Sequence, residues 1–189
     1  MAAIAAPHDA LAYAVTLDTS SLASVPGRLE FLLLDGDFVA NNSVTISNIV
    51  SNGTFVGTDC SFGCTGGPSS FVIDDGLGFG ELLYDLTLGT SLRFDLSYTT
   101  NYGGLLDPDR FVFSLLGSNN FSLVDTDLTS DALLTVDLIG SGVVQTASFI
   151  SPNVVISIPE PGSLALTAIA LLALARRRVV GALRATVLG

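Results

Sequence analysis

The chain has 189 residues, enough for one ordinary domain with short terminal segments. It is 49% hydrophobic and carries a net charge of −11, so it is too apolar to be a disordered acidic tail. Between Tyr13 and Ile158 three basic residues face sixteen acids, and lysine is absent, which excludes the clustered cations that nucleic-acid binding and lysine-based phosphate loops require.

Residues 1–12 read MAAIAAPHDALA, and Ala10-Leu11-Ala12 is a small-x-small cleavage pattern followed at once by strand-like sequence. The first expectation is the remnant of a secretory signal peptide whose basic and apolar front lies upstream of Met1, and the alternative is an ordinary frayed terminus. His8, the only histidine, falls in this segment and is expected to be removed or solvated.

From Tyr13 to 157 the dominant period is two. Leu92, Phe94, Leu96 and Tyr98 alternate with Arg93, Asp95, Ser97 and Thr99, which sends one face to a core and the other to water. The same pattern marks Tyr13–Leu17, Phe111–Leu115 and Leu134–Leu138. Further strands are expected at Arg28–Leu34, Ser43–Val50, Phe71–Ile73, Glu81–Leu88, Gly142–Phe149 and Asn153–Ile158. Turn formers separate them, among them Pro26-Gly27, Asp35-Gly36-Asp37, Asn41-Asn42, Asp75-Gly76 and Asp107-Pro108. Short strands with frequent turns predict an all-β antiparallel β-sandwich over residues 13–157, a jelly roll as first choice and an immunoglobulin-like sandwich as second.

Cys60 and Cys64 flank Ser-Phe-Gly, and in an exported protein two cysteines this close are expected to form a disulfide that orders a loop. A metal site built on them would need further His or Cys ligands, which the body does not contain.

The body offers no G-x-S-x-G motif and no histidine for a triad, so no catalytic residue is assigned. A glycan hydrolase would need two carboxylates, and the body's only glutamates, Glu30 and Glu81, both fall in expected strands, facing solvent. Four acidic doublets sit in or near turns: Asp35-x-Asp37, Asp74-Asp75, Asp107-x-Asp109 and Asp125-x-Asp127. Turn chemistry accounts for aspartate there. Calcium, which takes six to eight oxygen ligands, is the alternative, with Asp107 and Asp109 as its first candidates and loop cooperation required. Exposed aromatics for a carbohydrate platform would be Phe62, Tyr84, Tyr98 and Tyr102, each more simply read as core or loop packing.

The end of the chain has three parts in order: Pro159-Glu160-Pro161-Gly162-Ser163, an apolar stretch from Leu164 to Ala175, and Arg176-Arg177-Arg178. As a helix the apolar stretch rises about 18 Å, short of a bilayer core of about 30 Å, and the arginines would stop translocation on the cytoplasmic side. This order resembles the PEP-CTERM sorting signal of Gram-negative bacteria over residues 158–178, with 179–189 as an extension. The resemblance implies export, transient membrane anchoring through a short C-terminal hydrophobic helix, and recognition by an exosortase. Pro159, Glu160 and Pro161 would be the recognition motif and Arg176, Arg177 and Arg178 the stop-transfer cluster. More loosely, Tyr13–Leu22 and Gly89–Leu96 resemble segments of an uncharacterised group of PEP-CTERM proteins. The functional expectation is a non-enzymatic surface or extracellular-matrix protein, in contact with exopolysaccharide, with a calcium-dependent or aromatic-platform carbohydrate-binding module as the alternative.

Overall fold

The computed structural model describes residues 11–102, 106–124, 131–140, 144–148 and 155–157. Among these residues twelve strands follow one another: β1 (Leu11–Asp18), β2 (Pro26–Leu34), β3 (Ser43–Ser51), β4 (Thr54–Phe62), β5 (Cys64–Gly67), β6 (Ser70–Asp74), β7 (Phe79–Thr87), β8 (Ser91–Tyr98), β9 (Asp109–Gly117), β10 (Ala132–Leu138), β11 (Val144–Ser148) and β12 (Val155–Ser157). They form two six-stranded sheets, in the orders β12-β1-β8-β3-β6-β5 and β11-β10-β9-β2-β7-β4. Every ladder is antiparallel.

The pairing is nested. β1 pairs with β8, β2 with β7 and β3 with β6, each pair split between the sheets by its neighbours in sequence. That nesting is the jelly roll expected first from the sequence. β9 to β11 widen one sheet beyond β2, and β12 widens the other beyond β1. The first strand begins at Leu11, opposite Tyr98, two residues before the boundary drawn at Tyr13. β4 and β5 fall where no strand was expected.

Alternation decides which side chains fill the space between the sheets. Leu29, Phe31 and Leu33 of β2 are fully buried, as are Val15 and Leu17 of β1 and Val44 and Ile46 of β3. Phe31 meets Phe94 of the opposite sheet edge-on at 5.1 Å, and Phe113 packs on both at 5.2 and 4.8 Å. These edge and tilted contacts are favoured aromatic geometries, and the rings fill the centre of the sandwich.

No helix among the described residues is long and apolar enough to cross a membrane. The segment 1–10 with His8, Asp125 and Asp127, the sorting motif, the apolar stretch and the arginine cluster lie outside the described residues.

Candidate metal centre

At one pole of the sandwich three connections meet: the β2–β3 loop (35–42), the β6–β7 loop (75–78) and the β8–β9 connection, which ends at Asp109. The pairing brings them together, because Leu34 stands opposite both Phe79 and Arg110, and Ser43 opposite Asp74. Three acidic doublets of the sequence thereby send members to one place.

Asp35, Asp37 and Asp109 each bring a carboxylate oxygen within 4.8 Å of the other two. Asp109 is fully buried and Asp37 nearly so. The Asp109 Oδ1 accepts hydrogen bonds from the backbone N–H groups of Gly36 at 2.8 Å and Asp37 at 3.4 Å, while its Oδ2 accepts from Asn42 Nδ2. Asp35 Oδ1 is buried and accepts no hydrogen bond from the described residues. A buried carboxylate oxygen left without a donor is costly unless a cation or a proton completes it.

Asn42 ties the loops. Its side-chain oxygen accepts from the Asn101 N–H at 2.8 Å and the Thr99 hydroxyl at 3.0 Å, and its amide also donates to the Asn101 carbonyl at 2.6 Å. Its own backbone N–H donates to Asp75 Oδ2 at 2.9 Å. Gly36 permits the closest approach: a Cβ there would stand 2.4 Å from the Pro108 carbonyl oxygen and 2.6 Å from that of Asp107. Two backbone carbonyls are thus pressed against the turn between Asp35 and Asp37.

The electrostatics are unbalanced. Two unit charges within 4.8 Å repel by at least about 3 kcal/mol at an effective dielectric of about 20. Each described arginine is engaged elsewhere: Arg28 with Asp85, Arg93 with Asp95 and Arg110 with Asp137. Burial pushes the Asp75 carboxyl up to about 6, against the pull of the Asn42 and Asn41 N–H groups and with Asp109 adding to the rise. All the converging donors are oxygens, the donor set of a hard divalent cation, calcium above all.

Of the two first calcium candidates of the sequence, Asp109 lies in this group of three carboxylates and Asp107 lies outside it. Asp107 is exposed, and its contribution at this pole is its carbonyl beside Gly36. Asn41 and Asn42 were legible only as turn formers, whereas Asp75 belonged to one of the acidic doublets.

The remaining candidates disperse. Cys60 and Cys64 form a disulfide between β4 and β5, with Cα atoms 5.1 Å apart. Glu30 and Glu81 are half-buried on neighbouring strands; burial raises the Glu81 carboxyl, and the nearby Glu30 adds to the rise. Tyr98 is buried and stacks on Tyr13 at 5.5 Å, and the Tyr102 hydroxyl donates to the Leu106 carbonyl. Phe62 is exposed and packs on Phe79, and Tyr84 packs on Phe55 at 4.9 Å.

No curated protein and no solved structure matches the chain. A family model, the PEP-CTERM protein-sorting motif, matches residues 157–179. It spans the Pro-Glu-Pro triplet, the apolar stretch and the three arginines in their expected order. The chain therefore carries a PEP-CTERM sorting motif, which implies an exported protein, transiently anchored in the membrane and processed by an exosortase.

Proposed function

We propose that this exported chain is a non-enzymatic component of the cell surface or extracellular polysaccharide matrix, and that calcium locks one pole of its jelly roll. The observation that carries the calcium reading is the convergence of Asp35, Asp37 and Asp109 around a buried carboxylate oxygen that has no donor among the described residues. Asp35, Asp37 and Asp109 would hold the ion, with the Asp107 and Pro108 carbonyls close at hand. Its charge would offset the mutual repulsion that otherwise opposes closing the loops. The body in front of the sorting motif also lacks any histidine, lysine or free described cysteine, which supports a structural rather than a catalytic role.

Thermal unfolding in calcium and in chelator tests the reading. At calcium a hundredfold above its dissociation constant the gain is about 2.7 kcal/mol, or a rise of roughly 5–10 °C for a domain of this size. An unfolding temperature that ignores both calcium and chelator would remove the site.

A glycan-binding role has one observation in its favour. Phe55 and Tyr84 form an aromatic pair beside a groove of about 250 Å³ that Val50, Ser51 and Gly53 also line. On a glycan array run with and without calcium, retention that Phe55→Ala abolishes would favour this second reading. Sugar release that Glu81→Gln abolishes would favour hydrolysis over both.

A further inference from the structure

We propose that the flank formed by β4 is the interface through which two copies of this chain associate about a two-fold axis. The inference is independent of the calcium reading.

An edge strand offers unpaired backbone groups to any second strand, and natural sheets keep such edges short or charged. Among the described residues three of the four sheet edges are short: β12 has 3 residues, β5 has 4 and β11 has 5. β4 has 9 and pairs on one side only, with β7. Thr54–Phe62 contains no lysine, arginine or proline, the residues that most often blunt an edge. Two register shifts against β7, between Phe55 and Gly57 and between Asp59 and Phe62, shorten the ladder that a partner strand could form. Side chains must therefore supply most of the contact.

The flank carries them. Phe55 is 52% exposed, Val56 68% and Phe62 52%, and Val50, near the end of β3, is 62% exposed. At about 200 Å² for a fully exposed phenylalanine and somewhat less for valine, these four leave roughly 400 Å² of apolar surface in water on each copy. Two copies cover roughly 800 Å² from these residues alone, and the strand backbone with the exposed Phe79 brings the total to about 1,000 Å², the threshold of a specific interface.

The shape is self-complementary. Between the end of β3 and the start of β4 lies the groove of about 250 Å³, lined by Ile49, Val50, Phe55 and Leu86, with polar side-chain atoms only from Ser51 and Tyr84. So apolar a hollow suits a branched aliphatic side chain better than a glycan, whose hydroxyls need several fixed partners. Val56 stands next to Phe55, and a two-fold axis close to Phe55 sets the Val56 of each copy against the groove of the other. Charge selects the same flank. The body carries sixteen acids against three bases, so two copies repel over most of their surfaces, whereas β4 holds a single charge, Asp59. The Cys60–Cys64 disulfide ties the strand to β5, which leaves little order to be gained on association.

Sedimentation velocity of the full chain in detergent, at concentrations up to about 200 µM, tests the proposal. Association predicts a rise from one copy to two with a dissociation constant in the micromolar range, that of small interfaces. Val56→Glu should raise that constant at least tenfold, while Phe121→Glu, at a 70% exposed position in the connection after β9, leaves it unchanged. Added sodium chloride should tighten the pairing by screening the acidic bodies. A chain that stays single at every concentration overturns the proposal, as does weakening by salt. Association that Val56→Glu leaves intact places the contact elsewhere and also overturns it. So does association in calcium but not in chelator, which would assign the contact to the acidic pole. Val56→Ser repeats the comparison if Val56→Glu fails to fold.

Discussion

The centre of the sandwich and its acidic pole are both buried, and they are buried by opposite means. Around Phe31, Phe94 and Phe113 every group that leaves water is apolar, and each ring meets its neighbours at contact distance. Removal from water is itself the driving force there, and nothing outside the chain is needed. At the pole Asp109, Asp75 and Asp37 leave water as acids, and the described arginines pair with other carboxylates. Hydrogen bonds from Gly36, Asp37 and Asn42 meet part of the cost, and the repulsion among the carboxylates remains. The contrast teaches that one region of this fold closes on apolar burial alone while the other must hold carboxylates close together.

The largest test of that contrast is Phe31→Ala. Truncating a fully buried phenylalanine costs about 3–5 kcal/mol, and denaturant unfolding should show the same loss with calcium and with chelator. A loss that changes with calcium would mean the core and the pole are not independent. Replacing Cys60 and Cys64 together with serine should cost less, about 2 kcal/mol for so short a loop. The disulfide joins the edge strand of one sheet to the edge strand of the other, so the change should appear first as faster proteolytic nicking near Ser61–Gly63, before any large shift in global unfolding.

A further test is the pH dependence that Asp75 contributes. Its ordinary value is 3.8 and burial lifts it to about 6 in the fold. Between those values the native chain holds a proton that the unfolded chain has released. The contribution is therefore complete below about 3.8 and is lost as pH rises through about 6. In chelator, Asp75→Asn should remove this descent from a plot of unfolding temperature against pH. A plot identical to that of the unsubstituted chain would show that Asp75 is not where the buried proton sits.

Most of the fold was legible because most strands declare two faces. β2 and β8 alternate almost perfectly in burial, as their apolar residues do in sequence. β4 was not legible for the complementary reason. It lies at a sheet edge and exposes residues on both faces, so Thr54–Phe62 shows no buried stripe and its Gly57, Asp59 and Ser61 read as loop. Strand order was out of reach, since it depends on which ladders form between strands distant in sequence. The acidic centre inherits that limit. Each doublet explains itself as turn chemistry, and only the pairing of β2 with both β7 and β9 brings Asp35, Asp37, Asp75 and Asp109 to one pole. The sorting motif was the opposite case, a local pattern whose meaning lies in the order of its parts.

Calorimetric titration of the full chain with calcium tests the central claim most directly, run beside the double variant Asp37→Asn and Asp109→Asn. The account predicts saturable binding of about one ion per chain, consistent with a single centre of oxygen ligands, and no binding heat in the double variant. Heats of dilution alone from the unsubstituted chain, or equal binding by both proteins, would contradict it.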